Sequence, residues 1–371
     1  MKKNLAIIGA SYLQLPLIEK AKEMGFTTHV FAWAAGDVGE MAADHFYPIS
    51  ITEVDEITEK CREIGICGIC SIATDLGNYT VNYVADKLGL PGNSMECTRM
   101  STNKHLMRET FEKNGDPSPK SVLVDKSTDL FSLQLQYPVI VKPTDRSGSR
   151  GINKLEDASG LENAVKEAMD AGFEKKALIE EFAEGQEYSV EGISFKGVHH
   201  ILAVTQKFTT GAPHFIETGH LEPAPVSKEL FHKIVNVITH ALDSLGIKNS
   251  ASHSEIKIDK DGNIKIIEIG SRMGGDAIGS DLVYFSTGVD YVKAVIQVAC
   301  GEEPELTPVG ECCSAEVRFI LTRDDLKEFE RMKAEEPGRI LRIVDEVHPS
   351  NIGNTTDSSN RAGCYVFRTQ K

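Results

Sequence analysis

Two apolar runs flanking Asp261-Gly262 constrain the fold more than any other stretch of this chain. The segment reads HSEIKIDKDGNIKIIEIGSRMGG over residues 253–275. Alternation before the turn and an apolar run after it describe an antiparallel hairpin with one core face. Asp-Gly favours a type I′ turn, whose two central residues both need positive φ. Centring that turn on Asp261-Gly262 sets Glu255 opposite Glu268, and Ile256 opposite Ile267 on the other face. Like charges facing across a sheet are destabilising, and both would resist joint ionisation. A cation between them is therefore expected. The surroundings offer oxygen donors, so a hard ion such as Mg²⁺, completed by substrate phosphates, suits the pair as metal ligands. Arg272 follows in a Gly-rich turn, where its fork can reach a phosphate or carboxylate.

At 371 residues the chain is long enough for two or three domains, and its net charge of −15 argues against a nucleic-acid surface. No apolar run approaches the roughly 20 residues of a membrane helix. The start shows no signal-peptide pattern, so a cytoplasmic location without membrane partners is expected. Eight cysteines form no disulfide framework. Cys67 and Cys70 make a C-x-x-C inside an apolar strand, with no second pair at zinc spacing, so reduced thiols are the simpler reading.

Residues 1–90 alternate strand and helix: strands over 5–8, 27–32 and 66–72, helices over 15–24, 54–63 and 78–88. That order predicts a parallel sheet covered by helices. Gly9-Ala10-Ser11-Tyr12-Leu13-Gln14 lacks the glycines of a dinucleotide fingerprint, which argues against NAD. A ligand at the strand ends near Gly9, Ser11 and Asp75 fits as well as plain turns do. Pro91-Gly92 marks a boundary. A strand then ends at Lys142, ahead of the loop Thr144-Asp145-Arg146-Ser147-Gly148-Ser149-Arg150-Gly151, with another strand over 152–155. Such a loop can cover phosphates, but it is not a Walker A loop. Further expectations are strands over 121–124, 177–182 and 201–208, a loop over 209–220, and helices over 161–171, 228–245 and 289–300. In the tail, strands are expected over 315–321 and 340–347, with a polar run over 351–362.

Lys142 before a Ser/Gly loop, Glu180-Glu181-Phe182 with Glu187, and Glu255 with Glu268 ahead of Arg272 together resemble the ATP-grasp superfamily. The likeness spans about residues 1–300 and is closest to the carboxylate–amine, or L-amino-acid, ligase branch. It implies a mixed α/β and α+β protein: a parallel-sheet pre-ATP-grasp domain over 1–90, a small subdomain over 91–185, a central subdomain with the metal hairpin over 186–305, and a small α+β segment over 306–371. The resemblance gives Lys104 and Lys142 to the ATP phosphates, with Ser147, Gly148, Ser149 and Gly151 in the covering loop. Glu180, Glu181 and the backbone of Phe182 and Ala183 would meet adenine, and Glu187 the ribose. Glu255 and Glu268 would ligate Mg²⁺. Arg272, with Lys142, would serve catalysis at the transferred phosphoryl group. Many members carry Asn two residues after the second metal glutamate, where this chain has Gly270.

The expected function is ligation of a small-molecule carboxylate, an amino acid, to an amine through an acyl phosphate made with Mg·ATP. Bicarbonate as the carboxylate, giving carboxyphosphate, is the enzymatic alternative, and a nucleotide-binding module without catalysis is the other. His214, Glu217, His220 and His253 are candidates to deprotonate the amine, and Arg361 to bind a substrate carboxylate. A homodimer is expected by analogy.

Overall fold

The computed structural model describes residues 3–146, 148, 150–212 and 215–369. Ser147, Ser149 and His214, named above, lie outside the described residues. Strands β1 (Asn4–Ile8), β2 (Thr27–Phe31), β3 (His45–Tyr47) and β4 (Gly68–Cys70) pair in parallel in the order β3-β2-β1-β4. β1 and β4 are almost wholly buried and largely apolar, as strands covered on both faces are. Helices Leu15–Glu23 and Val54–Ile64 lie between these strands, and helix Asp75–Leu88 follows the last of them.

β5 (Ser121–Val124), β6 (Val139–Pro143), β7 (Asn153–Leu155) and β8 (Ala177–Glu181) form a small antiparallel sheet ordered β5-β8-β6-β7, backed by helix Leu161–Ala171. The remaining strands are β9 (Gln186–Phe195), β10 (Val198–Thr209), β11 (Glu217–Glu222), β12 (Ser250–Ile258), β13 (Ile264–Gly270), β14 (Ala315–Phe319), β15 (Ile340–Asp345) and β16 (Cys364–Arg368). They make one eight-stranded sheet, ordered β13-β12-β9-β10-β11-β14-β16-β15. The tail thus continues the central sheet through the β11–β14 pairing. Helix Lys228–Leu245 packs Ile234, Ile238, Ala241, Leu242 and Leu245 beneath the β12–β13 hairpin, against Ile256, Ile266 and Ile269. Helix Tyr291–Ala299 joins the core of the first sheet instead, so one apolar cluster runs from the first sheet to Ile193, Ala203 and Ala251 of the large sheet. Among the described residues no helix is long and apolar enough to cross a membrane.

The hairpin corrects the expected turn. Asp261 does not adopt positive φ; Gly262 does, at 76°. Gly262 N–H donates to the Asp259 carbonyl at 3.0 Å, and the Asp259 carboxylate accepts from the amides of Asp261 and Asn263. This is a type I turn closed by one left-handed glycine, a residue longer than a type I′ turn. Ile258 therefore pairs with Ile264, and Ile256 with Ile266 rather than Ile267. A β-bulge then absorbs Ile267 and returns Glu255 to Glu268. A bulge on an edge strand re-aims side chains in this way.

Three further expectations need correction. Part of the loop expected over 209–220 is strand β11. The tail also contains a helix, Arg323–Glu335, and strand β16.

Candidate active site

Helix Lys104–Asn114 turns a buried stripe of Lys104, Met107, Arg108 and Phe111 toward β13. Two of these four are cations, so the stripe carries charge into a buried seam. Lys104 is 4% exposed, and its ammonium donates to Glu268 Oε1 and to the Arg146 carbonyl, both at 2.9 Å. Burial alone would lower its pKa, but Glu268 outweighs that and raises it. Arg108 Nη2 donates to the carbonyl of the bulge residue Ile267 at 2.6 Å.

Lys142, on β6, pairs with Glu180 Oε2 on β8 at 2.7 Å. Arg108 Nε lies 2.8 Å from the other oxygen of Glu180, as a charge contact rather than an aligned hydrogen bond. Burial pulls the Lys142 ammonium below its usual value despite Glu180, with Arg108 and Lys104 adding to the effect. Glu181 pairs with Lys265, while Lys154 and Lys257 lie over the Phe182 ring at 4.1 and 5.1 Å.

The positive charge required beside the facing glutamates comes from the chain itself, one lysine to each. Lys207 on β10 sits 2.6 Å from Glu255, 3.0 Å from Glu187 and 3.8 Å from Glu217. Against burial, these acids hold the Lys207 pKa well above normal. Burial would raise the Glu255 carboxyl, yet Lys207 and then His253 keep it well below the usual range. His253 is gripped by Glu191, which overcomes burial and lifts the imidazole to about 9. It is therefore an imidazolium near neutral pH. His220 is the reverse: fully buried, without a hydrogen-bond partner among the described residues, and lowered by burial despite Asp276 at 3.8 Å.

Most of these groups line one cavity of about 330 Å³. Lys104, Lys142, Gly148, Glu180, Glu181, Phe182, Ala183, Glu187, Glu255, Glu268 and Arg272 all line it, as do Glu217, His220 and His253. Gly151 does not; it packs against helix Leu161–Ala171, where a Cβ would stand 2.8 Å from Ala171. Arg361 stays off the wall too, held in a two-pronged pair with the cavity residue Asp276. Sequence reasoning missed Arg108, Lys207, Glu191 and Asp276 as members of the site, and named Asp75 only as a strand-end candidate. A legible signal existed for two of them: Arg108 falls on the apolar spacing of its helix, and Lys207 interrupts an apolar strand.

Residues 135–281 match the family model of the ATP-grasp domain. This stretch holds an ATP-grasp domain. Among curated relatives of the chain is alanine–anticapsin ligase of Bacillus subtilis strain 168, 28% identical over 73% of this chain and 64% of the relative. The same enzyme from Bacillus amyloliquefaciens is 31% identical over 59% of this chain and 51% of its own length. The chain thus spans between 51% and 64% of the length of these two relatives. Its fold is that of the L-amino acid ligase from Bacillus licheniformis, with a TM-score of 0.84 and 24% identity over 100% of this chain and 94% of that one.

The site fits a hard cation in part by itself. Glu255 and Glu268 each use Oε1 for a lysine, and their Oε2 atoms have no partner among the described residues. No cluster of three or more His, Cys, Asp or Glu forms a metal cage among the described residues. Two carboxylate oxygens completed by phosphate oxygens is a common way to hold Mg²⁺.

Proposed function

We propose that this protein is a Mg·ATP-dependent ligase that joins the carboxylate of a small molecule, an amino acid, to an amine through an acyl phosphate. The observation that carries the reading is the convergence of Lys104, Lys142, Arg272 and the Glu255–Glu268 pair on one cavity. Relatives named as amino-acid ligases support the choice of substrate class.

A carboxylate is already ionised, so its phosphorylation needs no general base. What the chain must supply is position and compensating charge. Lys104 and Lys142 neutralise the phosphates, and Glu187 takes the ribose hydroxyls. Gly148 and Arg146 cover the cleft and exclude water. Glu255 and Glu268 would hold Mg²⁺, which would supply positive charge to the phosphates. Arg272 steadies the phosphoryl group as it passes to the acid and as phosphate departs. The amine must lose a proton before or during attack. Neutral His220, backed by Asp276, is the group we assign to take it; His253 is already protonated. A homodimer in the cytoplasm belongs to the same proposal, and the eight free cysteines suit a reducing compartment.

The test is oxygen tracing. With ¹⁸O in the carboxylate of the acid, label should appear in released phosphate, and the Glu268→Gln variant should fold normally but turn over no ATP. Turnover that depends on bicarbonate would favour the carboxyphosphate reading. ATP binding without turnover for any pair of amino acids would leave a nucleotide-binding module.

A further inference from the structure

Arg272 does not hang freely in the cleft. Its Nε donates to Asp75 Oδ1 at 2.8 Å, and its Nη1 to the Met273 carbonyl at 3.2 Å. Nη2 has no partner among the described residues, and the side chain lines the cavity. Asp75 comes from the first sheet's region, as the opening residue of helix Asp75–Leu88, 197 residues away in sequence. The turn that carries it is fastened to the segment after β13. Ala73 N–H donates to the Met273 carbonyl at 3.2 Å, and Asn78 Nδ2 to Ser271 Oγ at 2.9 Å. Ser271 Oγ also meets Ser101 Oγ at 2.8 Å.

Gly270 explains how the pair fits. A Cβ on Gly270 would stand 3.5 Å from both Arg272 Nε and Asp75 Oδ1. That methyl is tolerable, but any longer side chain would run into the ion pair. The space that an asparagine at 270 would fill is occupied here by a carboxylate reaching across from the other region.

We infer that Asp75 is a positioning residue for the ligation step: it fixes the inner edge of the Arg272 guanidinium so that the outer edge faces the phosphoryl group in transfer, and Gly270 is the opening that admits it. The inference rests on the function proposed above. The first region is then part of the active site and not only a neighbour of it. Asp75 acts through Arg272, so its loss should spare nucleotide binding and slow chemistry.

The experiment uses the full chain with Asp75→Asn, Asp75→Glu, Gly270→Asn and the Asp75→Asn/Gly270→Asn double variant. Binding of a non-hydrolysable ATP analogue, kcat, KM for the acid, and positional isotope exchange in ATP are measured for each. A misplaced guanidinium should cost about 100-fold in kcat and in isotope exchange. Nucleotide Kd and the acid's KM should stay within about threefold, the split expected of a transition-state contact. Asp75→Glu, which keeps the charge, should recover part of the rate. Gly270→Asn should lose a comparable factor alone and add little to Asp75→Asn, since both break one contact. Unchanged kcat and exchange in Asp75→Asn would overturn the inference, as would a rate loss matched by lost nucleotide affinity. A wild-type protein without acid-dependent ATP turnover would instead sink the proposed function, and this inference with it.

Discussion

Lys207 is the best place to test whether the chain carries its own substitute for a metal ion. Its ammonium is 4% exposed and lies within 3.8 Å of three carboxylates, those of Glu255, Glu187 and Glu217. Lys207→Met keeps most of the stem's volume but leaves three acids facing one another. Removing one partner of a buried pair costs roughly 3–5 kcal/mol. The acids keep some solvent, with side-chain exposures of 16–25%, so the lower end, about 3 kcal/mol, is expected. A divalent ion in that gap at a hundred times its Kd would return about 2.7 kcal/mol. In a scanning-calorimetry melt without nucleotide, the variant should fall well below wild type. Mg²⁺ should then restore most of the loss while barely moving wild type, with sodium chloride at matched ionic strength as the control. A variant that melts with wild type, or a Mg²⁺ shift equal in both, would refute the reasoning.

Other outcomes follow from single sites. Glu222 is fully buried, accepts from the Thr205 and Ser286 hydroxyls, and is pushed by burial from 4.5 to about 7. The folded protein holds this proton where the unfolded chain has lost it. The contribution is therefore complete below the unfolded value and is lost as pH rises through about 7, a fall of up to about 3 kcal/mol. Glu222→Gln removes that slope, so its melting temperature should decline less than wild type's between pH 5 and 7.5; parallel profiles would contradict the assignment. In the hairpin turn, Gly262→Ala must force a left-handed residue at φ 76° and should cost about 1–2 kcal/mol. Asp261→Ala should cost less than about 0.5 kcal/mol, which melts of the two variants would separate; a type I′ turn would penalise both positions.

The legible parts of the fold share one property: a pattern readable within a single element. The strand–helix alternation of the first 90 residues and the two carboxylates of the hairpin are of this kind. The hairpin also shows the limit. Facing glutamates follow from either turn, because the longer turn and the bulge at Ile267 cancel. Strand β11, ETGHLE, has few apolar residues, yet β10 and β14 flank it on both sides and bury Gly219, His220 and Glu222. No periodicity in its own sequence reports that. Helix Arg323–Glu335 carries only a thin stripe of Leu326, Phe329 and Met332 on a heavily charged surface. The pairs Asp75–Arg272 and Arg361–Asp276 join residues far apart in sequence, and only the packed chain brings them together.

The continuity of the eight-stranded sheet has a practical consequence for anyone trimming this protein. Cutting the chain after helix Tyr291–Ala299 would strip β14 from β11 and expose a row of unsatisfied amides and carbonyls beside His220. Such a bare edge invites pairing with other chains. A shortened version should therefore precipitate before it can be asked whether it still works.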